Sequence, residues 1–196
     1  MEEIDKIQNY VARHIELTPE ERDYFASVLR VAKVKKKQCI VQPGFVCRYR
    51  NYIYTGAMRS YLVGNDGQEH TELLSIDDWW ITDYNSYIYQ QPATLFVEAV
   101  EDSVLVQFDH QSEQLLLKAV PKFERFFRII TERSLAFFHR RMLSNLSMTA
   151  EERYEEFVTK YPLIPQKVPQ YILASYLGMS TEYLSKLRNN RVIKKS

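Results

Sequence analysis

Glu182, Ser185, Lys186 and Asn189 stand at i, i+3, i+4 and i+7, with Thr181 just ahead of them. On a helix this spacing gathers a carboxylate, a hydroxyl, an ammonium and an amide on one face, while Leu184 and Leu187 point the other way. A face of that kind suits the major groove of DNA: Glu182 can accept from cytosine N4, and Lys186 can donate to guanine O6 or N7. Ser180, Arg188 and Arg191 are better placed for phosphate oxygens, which fix register without reading sequence. No catalytic pattern competes. The chain has no Gly-rich phosphate loop, no HExxH and no GxSxG, and His14, His70, His110 and His139 are scattered. Asp77-Asp78 reads as a solvated turn. Neither a catalytic residue nor a metal site is expected, and the chain is not read as an enzyme.

The elements that must hold this face are written around it. Pro169 can open a first helix, Ala174 is small where two helices cross, Gly178 permits a left-handed turn, and Ser180 can cap the second helix. Ala174, Gly178 and Leu184 have the spacing of a helix-turn-helix. Upstream, Thr149-Ala150-Glu151-Glu152 is a capping box for a helix with a Tyr154, Phe157, Val158 and Tyr161 stripe, ended by Pro162 and Pro165. A long helical pattern, about 111–146, runs past Pro121. In it Phe123, Phe127, Ile130, Ser134, Phe137, Arg141 and Ser144 alternate steps of four and three, and are expected to form the seam of a homodimer. A second stripe, Phe126, Leu135, Phe138, Met142 and Leu146, is expected to pack on the chain's own body.

From about Lys33 to Phe108 the period is two. Pro43-Gly44, Gly56 and Gly64-Asn65-Asp66-Gly67 mark turns, the last between Ser60–Val63 and His70–Leu74. A further strand pair is expected between 94–100 and 104–108. Ahead of them, Ile4, Ile7, Val11 and Ile15 recur at helical spacing, and Thr18-Pro19-Glu20-Glu21 caps a second helix. The fold class is therefore α+β: an N-terminal antiparallel β-roll of double-stranded β-helix or jelly-roll type with flanking helices, a long dimerisation helix, and a C-terminal winged-helix-like helix-turn-helix. Residues 1–147 form the sensor-type unit and 148–196 the helix-turn-helix unit.

Composition is consistent with this. With 196 residues, 45% hydrophobic and a formal charge of +1, the chain can build a medium and a small core. Beyond Gln166, six bases face the single acid Glu182, which points to a polyanion. No run approaches the ~20 apolar residues of a membrane helix, and the acidic start is unlike a signal peptide, so a cytoplasmic protein with no membrane partner is expected. Cys39 and Cys47 are too few for a four-thiolate cluster; reduced thiols packed in a sheet are expected, and no cofactor.

This order of parts resembles the Crp-Fnr family of bacterial transcription regulators. Lys37–Gly44, Tyr52–Arg59 and Asp77-Asp78-Trp79-Trp80 look like the family's strand-and-glycine motifs, and the C-terminal helix pair carries the likeness further. The resemblance implies double-stranded DNA as partner, a homodimer on a pseudo-palindromic site, and contact with RNA polymerase. It does not carry over the cyclic-AMP site. Where family members that bind cyclic AMP place a Gly-Glu pair and an Arg-Ser/Thr-Ala run, this chain reads Ile81-Thr82 and Ala93-Thr94-Leu95, without the carboxylate for the ribose or the guanidinium for the phosphate. Trp79, Thr82, Tyr84, Tyr87, Tyr89, Ala93 and Thr94 either line a pocket for an unknown small ligand or fill it. The family's usual wing is replaced by Val192-Ile193-Lys194-Lys195-Ser196, whose lysines are expected to make loose phosphate contacts. The alternative to a DNA reader is a ligand-binding or protein-interaction module with a vestigial helix-turn-helix, in which Lys186, Arg188 and Arg191 would be dispensable.

Overall fold

The computed structural model describes residues 1–193, with side chains as far as Asn190. Two helices open it, α1 (Glu2–Ala12) and α2 (Pro19–Ser27). The capping box at Thr18 forms as expected: its hydroxyl accepts from Glu21 N at 3.3 Å, and Glu21 Oε2 accepts from Thr18 N at 2.8 Å. Eight strands follow: β1 (Arg30–Val34), β2 (Cys39–Val41), β3 (Tyr49–Thr55), β4 (Ala57–Val63), β5 (Glu69–Ile76), β6 (Trp80–Ile81), β7 (Phe96–Ala99) and β8 (Ser103–Asp109), with α3 (Tyr84–Tyr89) between β6 and β7. They make two antiparallel four-stranded sheets, ordered β1-β8-β3-β6 and β2-β7-β4-β5. Both sheets contribute to an inner core that includes Val34, Ile53, Met58, Leu73, Val97 and Leu105.

The hairpin read across Gly64–Gly67 joins β4 to β5. The pairing expected between 94–100 and 104–108 does not form: β7 pairs with β2 and β4, whereas β8 pairs with β1 and β3. The turn at Glu101-Asp102 thus carries the chain from one sheet to the other. Gly56, at φ +120°, turns β3 into β4, and a side chain there would collide with Ser103: its Cβ would lie 2.8 Å from the Ser103 Cα.

The long helical pattern is two helices, α4 (His110–Ala119) and α5 (Lys122–Ser147), parted at Val120-Pro121. Proline lacks the N–H that would continue the ladder and starts the second helix instead. The roles of the two stripes on α5 also differ from expectation. Phe123, Phe127 and Ile130 are buried in the chain's own core, against Phe25, Val106 and Phe108 beneath α1 and α2. Ser134, Phe137 and Arg141 are half-buried: Phe137 meets Trp79 and Tyr161 edge-on, and Arg141 donates to backbone carbonyls. Phe123, Phe127 and Ile130 are therefore committed to the chain's own core and not to a dimer seam. The second stripe divides: Phe126 is buried and Phe138 half-buried against the chain's own core, as expected, whereas Leu135, Met142 and Leu146 are 69%, 53% and 78% exposed. Periodicity located both stripes, but with apolar residues on each it gave no reason to prefer one as the inner face.

Three helices, α6 (Ala150–Lys160), α7 (Ile164–Lys167) and α8 (Gln170–Leu177), lead into the last, α9 (Thr181–Ile193). The Thr149 capping box forms at the start of α6. These helices share one core with the second sheet, since Ala57, Leu74 and Val100 pack with Phe157, Ile172, Leu173 and Leu184. Among the described residues, no helix is long and apolar enough to cross a membrane.

Candidate nucleic-acid interface and ligand cavity

The α8–α9 pair is held by the residues whose spacing predicted it. Gly178 adopts φ +69°, ψ 43°, a conformation that strains any side chain, and turns one helix into the next. Leu184 and Leu187 are buried against Ile172, Leu173, Ala174 and Leu177. Of the expected contact residues, Thr181, Glu182, Lys186, Arg188 and Asn189 are exposed, and Ser185 is half-buried at the margin of the face. The Ser180 hydroxyl accepts from Tyr183 N at 3.1 Å, which makes it the cap of α9. Its own backbone N–H, joined by the Ser180 hydroxyl, holds the Glu182 carboxyl below its usual range. The side chain of Arg191, and Lys194 and Lys195, lie outside the described residues. Tyr183, 42% exposed beside Glu182, adds an aromatic to this surface that the polar spacing had not flagged.

The helix pair sits on the edge of the second sheet. Ser175 Oγ accepts from Thr71 N at 2.9 Å and donates to Glu69 O at 2.7 Å, both on β5. Arg141, from α5, donates to Glu72 O and Thr71 O of the same strand and to Tyr176 O of α8. Lys167 Nζ lies 3.0 Å from Asp77 Oδ1 and 3.2 Å from Glu101 Oε1. The Asp77-Asp78 pair lies in a turn, as expected, with both carboxylates partly exposed, and it also acts as an anchor. Asp77 also accepts from Gly56 N, while Asp78 accepts from Tyr52 at 2.5 Å and pairs with Lys6 at 3.0 Å. Burial opposes ionisation of Asp78, yet the Tyr52 and Lys6 hydrogen bonds outweigh it and keep the carboxyl below its usual range.

The residues proposed for a pocket are dispersed. Thr82 and Ala93 are buried within the roll, Tyr89 is 71% exposed, and Thr94 is exposed. Tyr87 is buried, with its hydroxyl donating to Glu113 Oε2 at 2.9 Å. Of the seven, Trp79 and Tyr84 share a cavity. In place of a pocket, Asp83 caps α3 and gathers amides from a distance: Oδ1 accepts from Ser86 N at 3.0 Å, and Oδ2 accepts from Thr94 N at 2.9 Å and Leu95 N at 3.1 Å. The Ala93-Thr94-Leu95 segment thus presents two of its amides to an internal carboxylate, 1% exposed. Asp83→Ala should orphan the buried Ser86 amide and release those of Thr94 and Leu95, and cost about 1–3 kcal/mol in urea unfolding; an unchanged midpoint would contradict this role. The cap itself is readable as Asp-x-x-Ser, but its long-range donors are not.

A cavity of about 410 Å³ lies between the roll and α5, within the range of small-ligand sites. Trp79, Trp80, Tyr84, Phe137 and Phe138 supply aromatic walls, with Ser75 and Ser134 among its polar groups. Trp80 Nε1 is buried without a hydrogen-bond partner among the described residues.

No protein-family model and no curated protein sequence matches the chain. Solved structures do. FixK2 from Bradyrhizobium japonicum superposes with a TM-score of 0.75 at 18% identity, over 86% of each chain. CLP, a c-di-GMP-responsive global regulator from Xanthomonas campestris, gives 0.71 at 13% identity, over 91% of this chain and 93% of that one. A Eubacterium rectale protein described as a transcriptional regulator of the crp/fnr family gives 0.69 at 16% identity, over 91% and 85%. At these identities the likeness establishes a shared fold, with its antiparallel sheets and flanking helices.

Proposed function

We propose that this chain is a cytoplasmic, sequence-specific DNA-binding transcription regulator of the Crp-Fnr type. It acts as a homodimer on a pseudo-palindromic site, contacts RNA polymerase, and does not respond to cyclic AMP. The observation that carries the reading is the outer face of α9: Glu182, Lys186 and Asn189 are exposed together on a helix whose Leu184 and Leu187 are locked inward behind the Gly178 turn. Such a helix fits the ~12 Å major groove. Loss of the cyclic-AMP response is supported by Asp83, whose carboxylate already takes the amides of Thr94 and Leu95. The aromatic cavity beside α5 is the input site, suited to a small ligand with apolar faces.

Selection of bound fragments from a random DNA pool, with and without cyclic AMP, tests both halves. A recurring palindrome unaffected by the nucleotide is expected, with half-sites ~34 Å apart. Lys186→Ala should then weaken the selected site by about 1–3 kcal/mol and relax preference at one base pair. If no sequence is enriched over random DNA, the reading fails.

A further inference from the structure

Where α5, α6 and the carboxyl end of α8 meet, the surface opens into a groove of about 60 Å³. A single water needs only ~10–15 Å³ on this measure, so a phosphate-sized group fits. Two guanidiniums enter from different helices, and both are tied to backbone carbonyls. Arg141 donates to Tyr176 O at 3.0 Å; Arg153 donates to Leu177 O at 3.2 Å and to Met148 O at 2.8 Å. Carbonyl dipoles solvate these charges without cancelling them. Arg140 and Lys160 line the same groove and are exposed. Against these four bases the lining holds one acid, Glu156, which accepts from Ser144 Oγ at 3.2 Å. Among the described residues, none of the four bases has a carboxylate within ion-pair distance. Arg153 Nη2 also makes no hydrogen bond among them.

We propose that this groove is a second ligand site, distinct from the aromatic cavity, that takes the phosphate of a small molecule between Arg140, Lys160 and Arg153 Nη2. Like charges gathered between the low-dielectric walls of Phe157 and Tyr176 raise the local potential and favour an anion. A phosphate of a DNA backbone is the less suitable occupant, because two of the bases are half-buried in the recess and not raised towards a duplex. The site has a mechanical consequence. Arg141 and Arg153 already hold the last carbonyls of α8, so an anion on this cluster would brace the helix pair against α5 and α6.

The test is titration calorimetry on the full chain at about 50 mM ionic strength, where screening is modest, with inorganic phosphate and with AMP as probes. One site per chain is expected. Arg140→Ala with Lys160→Ala, both exposed, should weaken it at least about tenfold with an unchanged circular dichroism spectrum, while Arg13→Ala with Arg125→Ala should leave it intact. AMP tighter than phosphate would identify an organic phosphate ester as the ligand; equal affinities would identify the free ion. Absence of binding, equal binding in the groove variant, or equal loss in the control variant overturns the proposal. So does a groove variant that loses DNA affinity when wild type binds neither probe. Because the readout is direct binding, its failure is separable from failure of the DNA-reading assignment.

Discussion

Glu113→Ala is expected to cost about 3–5 kcal/mol of stability, the range for breaking a buried ion pair by removing one partner. Glu113 closes a bidentate pair with Arg50: Arg50 Nε donates to Oε2 at 2.7 Å and Nη2 to Oε1 at 2.9 Å, and Tyr87 adds a third donor. Both residues are 6% exposed, and the guanidinium is boxed by the rings of Tyr84, Tyr87 and Phe127 at 5.5, 5.1 and 4.8 Å. Although burial opposes its charge, the carboxylate holds the Arg50 pKa above its ordinary value. Without Glu113 the cation keeps its aromatic walls and loses its counter-charge. Replacing the pair together, Arg50→Met with Glu113→Leu, should cost less than the single change, because no charge is then stranded. Urea unfolding of the two singles and the double closes the cycle. A single-variant loss below about 1 kcal/mol would show that water reaches Arg50.

The second large effect concerns assembly. Leu135→Glu with Leu146→Glu should convert a dimer into single chains and lower affinity for a two-half-site operator by about 10²–10⁴-fold, the advantage that linking two binding modules confers. Leu135, His139, Met142 and Leu146 follow each other at steps of four, three and four along α5, all exposed. That is the spacing of a coiled-coil seam, and each copy would offer the same stripe to the other. Light scattering reports the mass and a fluorescence titration the affinity. A wild-type mass of one chain would falsify the seam, as would a variant that remains dimeric.

The parts of the molecule legible in the sequence are those fixed by neighbours in the chain. Gly178, the Thr18 and Thr149 capping boxes and the Gly64–Gly67 turn each depend on residues within about four positions, and each forms where the residues predict it. The alternation of 94–108 marked two strands but not their partners, because pairing across sheets depends on where the turn at Glu101 sends the chain. Face assignment on α5 failed for a different reason. Phe123 and Leu135 have equal claims to an interior on hydrophobicity, and only the position of α1 and α2 decides between them. Asp83 and Glu113 are invisible in the same way: their partners lie at Thr94, Leu95 and Arg50, remote in sequence, so each looks like an ordinary surface acid until the chain is folded.

The edge of the second sheet sets a limit on how the chain can be divided. β5 is the last strand on its side, and it meets Ser175 and Arg141 instead of a ninth strand. A fragment that stopped at Ser147 would return the Thr71 amide and the Glu69 carbonyl to solvent and uncover Leu74 beside them. An open, partly apolar strand edge templates pairing with other chains. That N-terminal fragment on its own would therefore be prone to aggregate, and the C-terminal helices protect the β5 edge from pairing with other strands.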